Sequence, residues 1–359
     1  MANYLTLAVA GSGKTRSIVE HCSSLSPGRR ALVLTYTQAN QSELRGRLSR
    51  HTGDHHGIEV MGWFTFLLRH FARPFLPFMF PGQRILGFNF DGRPYRMASG
   101  IQRFLDTSGS VYSCELGRLA YELIEASGGA LLRRLECIYD EILIDEVQDL
   151  SSYDWEVVDE LLITTLDVHM VGDIRQAVLA TNPRSAKNKK YAYVESIKWF
   201  RAREARGMLT ITEKSATWRC RPEIAAFADT IFDSTWGLPP TESYNTRSSG
   251  HDGVFLVRPE HLSAYVAKYM PRCLRSSANS GKSFNLDYVN FKVAKGTECE
   301  RVLIVPTDGI EKFIQAATPL GPIPAAAFYV AATRASQSVA IVIERPGISS
   351  LPIWDPSKM

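Results

Sequence analysis

The apolar stretch Leu5–Ala10 runs without a spacer into Gly11-Ser12-Gly13-Lys14-Thr15, and a helical pattern begins at Lys14. Few features restrict a fold as tightly. Glycines let backbone N–H groups curl round phosphate oxygens, a lysine meets their charge, and a following hydroxyl suits Mg2+. Such a loop needs a strand before it and a helix after it, and both patterns are present here.

The rest of the chain repeats this habit. Ala31–Thr35, Glu141–Ile144, Val168–Val171, Val254–Val257, Val302–Val305 and Val339–Ile343 are short, mostly apolar runs, set between turn residues and helical patterns. Runs of that length alternating with helices predict buried parallel strands, hence an α/β protein. With 359 residues and about 150 per domain, roughly two lobes are expected. The first is placed at 1–205 and the second at 206–345, with 346–359 as a tail. An irregular insertion is expected at about 71–130, because Phe, Pro and Gly crowd Arg73–Arg96; Thr235–Asp252 reads as a loop.

Downstream, Ile142–Ile144 lead into Asp145-Glu146. A strand that delivers an aspartate to Mg2+ and a glutamate beside an attacking water is what nucleoside-triphosphate hydrolysis requires. A small-molecule kinase would use the same loop but has no need of the glutamate.

Charge and cysteine usage narrow the class. Lys plus Arg total 41 against 37 Asp plus Glu, a net charge of +4. This permits a nucleic-acid partner without marking a tail-driven binder. Cys22, Cys114, Cys137, Cys220, Cys273 and Cys299 are scattered with no CxxC pair, which argues against a disulfide scaffold or zinc ribbon. No apolar run approaches the ~20 residues of a membrane span, and no basic leader precedes Leu5. A cytoplasmic protein with no membrane partner is the expectation. His51, His55 and His56 cluster without a Cys or acidic partner at ligand spacing, so no metal is expected there.

Asp145-Glu146-Val147-Gln148-Asp149 resembles the DExQD box of superfamily 1 helicases of the UvrD/Rep type. Thr35-Tyr36-Thr37-Gln38 with Glu43-Leu44-Arg45-Gly46-Arg47 looks like that family's first single-strand-contacting motif. Gly172-Asp173-Ile174-Arg175-Gln176 is similar to its GDxxQ motif, Trp218-Arg219 to its Tyr-Arg element, and Ala294-Lys295-Gly296-Thr297-Glu298 to its AKGLE motif. Tyr329-Val330-Ala331-Ala332-Thr333-Arg334-Ala335 is close to YVAxTRA. The motifs keep the family's order along nearly the whole chain.

The resemblance implies two RecA-like parallel-sheet lobes with the nucleotide in the cleft between them. It implies ATP and Mg2+ as ligands and DNA-stimulated ATP hydrolysis that drives translocation on single-stranded DNA. Gly11, Ser12, Gly13 and Lys14 would hold phosphates, Thr15 and Asp145 the Mg2+, and Glu146 would be the general base. Gln176 would sense the γ-phosphate. Arg219 and Arg334 would stabilise transition-state charge, for which a planar guanidinium is suited. Arg16 and Trp218 would sandwich the base, with Gly296 and Glu298 near the ribose. Thr35, Tyr36, Trp63 and Phe64 would meet DNA, although the helix-like spacing around Trp63 predicts that most of that stripe is core. The basic run Pro183–Lys190 lies where backbone phosphates could pass.

Departures from the pattern matter too. The family's N-terminal glutamine motif has no counterpart, so ATP over GTP rests on the resemblance alone. Asn290, Lys292 and Thr297 replace customary residues in the AKGLE region. The span from 222 to 290 is too short for the family's large second-lobe insertion. This compact form resembles the helicase-like subunit of Gabija-type antiphage systems, which implies a hetero-oligomer with a nuclease partner. The alternative is an ATP-dependent DNA-sensing switch that licenses a nuclease without unwinding.

Overall fold

The computed structural model describes residues 3–53 and 57–358. His55 and His56 of the histidine cluster lie outside them. The chain forms two compact units. The first holds residues 1–7, 14–172 and 179–212, and the second holds 8–13, 173–178 and 213–359.

The first unit is built on a six-stranded sheet. Its strands are β1 (Tyr4–Ala8), β2 (Ala31–Thr35), β3 (Ile58–Gly62), β4 (Glu141–Ile144), β5 (Asp167–Gly172) and β6 (Thr210–Lys214). They lie in the order β3-β2-β4-β5-β1-β6. The pairings β2–β3, β2–β4, β4–β5 and β1–β5 are all parallel. Every residue of β2 and β4 is buried, which is why these strands read as unbroken runs and not as alternating ones. Helix α1 (Lys14–Ser23) covers one face. Its Ile18, Val19 and Cys22 pack with Val33, Leu44, Val60 and Leu143.

The Phe- and Pro-rich stretch after β3 is more regular than its composition predicts. Trp63–Phe66 is helical, Leu67–Ala72 forms a wide helical turn, and Arg73–Met79 continues as helix despite Pro77. Irregular chain then carries the short pair Gly87–Asn89 and Ser110–Tyr112 before the amphipathic helix Ser113–Ala126.

The second unit carries another six-stranded sheet: β7 (Gly253–Val257), β8 (Arg272–Arg275), β9 (Tyr288–Asn290), β10 (Cys299–Val305), β11 (Ala335–Val342) and β12 (Ile353–Trp354). The order is β9-β8-β10-β11-β7-β12, and all pairings are parallel. Segment 346–359 is therefore partly sheet, since Ile353 and Trp354 pair with Leu256 and Val257. The architecture is mixed α/β with two parallel sheets, as RecA-like lobes require.

Candidate nucleotide-hydrolysis site

Strand order places the chemistry. The phosphate-type loop follows β1, the Asp145-Glu146 box follows β4, and β5 runs between them, ending at Gly172. Because the three strands are parallel, their carboxyl ends open on one edge of the sheet, the usual ligand edge of α/β folds. Gly172 permits the tight approach there. A Cβ at that position would stand 2.5 Å from Gln148 Oε1 and 3.0 Å from Val147 Cγ1.

Glu146 occupies the left-handed region, φ 54°. For a non-glycine residue this costs about 1–2 kcal/mol. Its backbone N–H donates to Asp145 Oδ1 at 3.0 Å, and Gln148 Nε2 donates to its Oε2. Asp145 and Gln148 are buried, and Asp145 N–H donates to Leu34 O. The box is thus a folded turn with both carboxylates oriented by neighbours.

In the loop, Gly11 and Gly13 take φ of +74° and +81°, conformations in which side chains are strained. Within the second unit, Gly11 is also pressed against Thr217 and Arg219. A Cβ there would lie 2.5 Å from Arg219 Cβ. Trp218 N–H donates to Gly11 O and Thr217 Oγ1 to Ala10 O. Ser12 Oγ is buried without a hydrogen-bond partner. Lys14 and Thr15 open α1. Within the first unit, the lysine, the threonine and the buried Asp145 carboxylate suit phosphate charge and a hard, oxygen-seeking cation; within the second, the glycine backbone and the orphaned Ser12 hydroxyl suit phosphate oxygens.

In the second unit the other candidates gather round one guanidinium. Arg334 is 2% exposed. Its Nη2 donates to Gln176 Oε1 at 3.1 Å, its Nε to Val330 O at 2.9 Å and its Nη1 to Thr297 O at 3.3 Å. Gln176 Nε2 in turn donates to Asp173 Oδ2 at 2.7 Å. Arg219 lies beside this group: its Nε pairs with Glu298 Oε2 at 2.8 Å and its Nη1 reaches Thr333 O. Glu298, expected near a ribose, is here the partner of Arg219. Gly296 adopts φ +86° in the turn just before it.

The remaining candidates have the following surroundings. Arg16 does not face a ring, since its guanidinium pairs with Glu20 at 2.7 Å on the exposed face of α1. Trp218 stacks on Tyr244, with ring centroids 5.6 Å apart and planes at 21°. Tyr244 lies in the Ser/Thr-rich loop, and nothing in its local sequence marks it. Trp63 is 1% exposed and packs on Phe66, so it presents no stacking face. Thr35 is equally buried. Tyr36 and Phe64 do come together, at 5.9 Å, and the exposed Phe90 meets Phe64 edge-on at 5.9 Å. The signal for Phe90 in the sequence is the pair Phe88 and Phe90 in a segment rich in Phe, Pro and Gly.

Residues 2–182 match the AAA_19 family model, described as an AAA domain. Among solved structures, the Arterivirus nonstructural protein 10 helicase is similar at 15% identity and a TM-score of 0.49, over 95% of this chain and 59% of that one. The same helicase in complex with DNA is similar at 13% identity and a TM-score of 0.47, over 95% and 61%. The chain thus spans about three fifths of the length of those helicases. No curated protein matches.

Proposed function

The chain belongs to the AAA_19 family of AAA domains, and from that premise we propose that it is an ATP-dependent motor. In this reading it hydrolyses ATP with Mg2+ under stimulation by single-stranded DNA, couples the cycle to movement along the strand, and serves as the motor subunit of a complex with a nuclease. The observation that carries the reading lies within the first unit, at the shared edge of β1, β5 and β4, where Lys14 opens the helix after β1 and the held Asp145-Glu146 pair follows β4.

Lys14 neutralises the transferred phosphoryl group and the backbone of Gly11–Gly13 donates to phosphate oxygens. Thr15 and Asp145 would hold Mg2+, which when bound lowers the charge barrier to attack at phosphorus. Glu146 accepts the proton of the attacking water, and Gln148 fixes its carboxylate for that task. Arg334 orients Gln176 by direct hydrogen bond, and Arg219 and Arg334 supply positive charge as the reaction proceeds. Trp218 and Tyr244 offer an exposed aromatic pair for a purine face. Tyr36, Phe64 and Phe90 offer stacking faces for bases, a device that tolerates any sequence.

Movement is tested by ATP-dependent displacement of streptavidin from a biotinylated single strand. Displacement that stops when ATP is withheld supports the motor, and its absence despite ATP hydrolysis contradicts it. With a net charge of only +4, phosphate contacts are few, and each contributes about −0.7 to the log–log salt slope. Unwinding of a tailed duplex by the chain alone is therefore expected to be poor at ~150 mM salt and to be rescued by the partner.

A further inference from the structure

At the opposite end of β4 from the Asp145-Glu146 box lies a second group of chemically active side chains. Four residue steps along the strand separate Glu141 from Asp145, about 13 Å at strand rise. Glu141 opens β4, His169 lies within β5, and His21 lies in the last turn of α1. Both imidazoles turn Nε2 toward the same carboxylate oxygen. His21 Nε2 is 2.9 Å from Glu141 Oε2, and His169 Nε2 is 3.6 Å from it. The rings lie 4.8 Å apart, tilted and not stacked.

Glu141 is the unusual member. It is 1% exposed, and its Oε1 is buried with no hydrogen-bond partner. Among the described residues its ion-pair partners are the two histidines alone; no lysine or arginine joins them. A buried carboxylate with one oxygen unsatisfied is costly unless a cation compensates it. Burial, then the neighbouring His21, lower the His169 pKa from its ordinary value.

We propose that His21, His169 and Glu141 form a binding site for a first-row divalent cation of the Zn2+ type. With Zn–N and Zn–O bonds of about 2.0–2.2 Å, tetrahedral ligand atoms stand about 3.3–3.5 Å apart. The donor atoms here, at 2.9 and 3.6 Å from Glu141 Oε2 and all within 4.8 Å of one another, need only small side-chain shifts to reach that figure. Two imidazoles and one carboxylate favour Zn2+ over Mg2+ or Ca2+, which seek all-oxygen shells. The histidines are 34% and 23% exposed, so metal can enter and water can complete the coordination. Bound there, the ion ties the end of the helix that begins at Lys14 to the first residues of β4 and β5. It acts as a clasp on the scaffold, separate from the hydrolysis site.

The test uses the full chain, stripped with chelator and kept in saturating Mg2+, then dialysed against Zn2+. The arms are wild type, His21→Gln, His169→Gln and Cys137→Ser, the last removing an exposed thiol that takes zinc adventitiously. About one equivalent of zinc is expected in wild type and Cys137→Ser, with a rise in Tm. Both histidine variants should lose that equivalent and the Tm rise while keeping their Mg2+-dependent ATPase. Substitution of wild type with Co2+ should give a spectrum free of thiolate charge transfer. This arm decides the matter even where a variant fails to fold. Absence of zinc uptake by wild type, retention of zinc by folded histidine variants, or a thiolate-type cobalt spectrum would each overturn the proposal.

Discussion

Replacing Glu146 with glutamine should separate nucleotide binding from hydrolysis. The amide has nearly the same volume and keeps an oxygen to accept from Gln148 Nε2. The Asp145 hydrogen bond comes from the backbone of residue 146 and is untouched. The left-handed backbone at 146 is equally strained for Glu and Gln. Stability should therefore move by less than about 0.5 kcal/mol, or roughly 1–2 °C in Tm. The amide cannot take a proton from water. Positioned general bases contribute about 10²–10⁴ in rate, equivalent to about 2.7–5.4 kcal/mol of barrier. Steady-state ATPase should fall by that factor, while binding of a fluorescent ATP analogue stays within about threefold of wild type. A kcat within tenfold of wild type would remove Glu146 from the role of base. A parallel loss of nucleotide affinity would show that the residue acts on binding instead.

Two further substitutions probe the second unit and the core. Arg334→Lys keeps the charge but loses the planar fork that reaches Gln176, Val330 and Thr297. It should cut kcat by about 10³ and destabilise by about 2–4 kcal/mol through buried acceptors left unpaired; kcat within threefold would contradict its role. Asp154 is buried at the start of the helix Asp154–Leu162, where Thr181 donates to it, and burial pushes its carboxyl up to about 6 from 3.8. A raised folded-state value means that the native state holds the extra proton between those limits. This group's stabilising effect is complete below pH 3.8 and lost as pH rises through 6, by roughly 3 kcal/mol in all. Asp154→Asn should thus gain Tm relative to wild type as pH goes from 4 to 7, with little change above; a pH-independent difference would refute the assignment.

Legibility in the sequence followed burial. Ala31–Thr35 and Glu141–Ile144 are covered on both faces, so each stood out as a run and matched its strand in full. Thr210–Lys214 and Arg272–Arg275 were invisible, because strands with polar or charged residues are specified by ladder hydrogen bonds and not by hydrophobic pattern. At the site, the loop and box were legible because their chemistry demands contiguous residues. The Trp218–Tyr244 stack and the Arg219–Glu298 pair join residues 26 and 79 positions apart, and only tertiary folding brings them together. Trp63 shows the converse limit: spacing identifies an aromatic stripe but not which of its members faces the core.

The central claim, a P-loop hydrolase driven by nucleic acid, is tested most directly by ATPase rate against single-stranded DNA concentration. Wild type should hydrolyse ATP slowly alone and rise saturably, by about tenfold or more, as an unstructured oligonucleotide is added, while Lys14→Ala stays flat throughout. A wild-type rate that ignores the oligonucleotide, or a Lys14→Ala rate equal to that of wild type, would contradict the account.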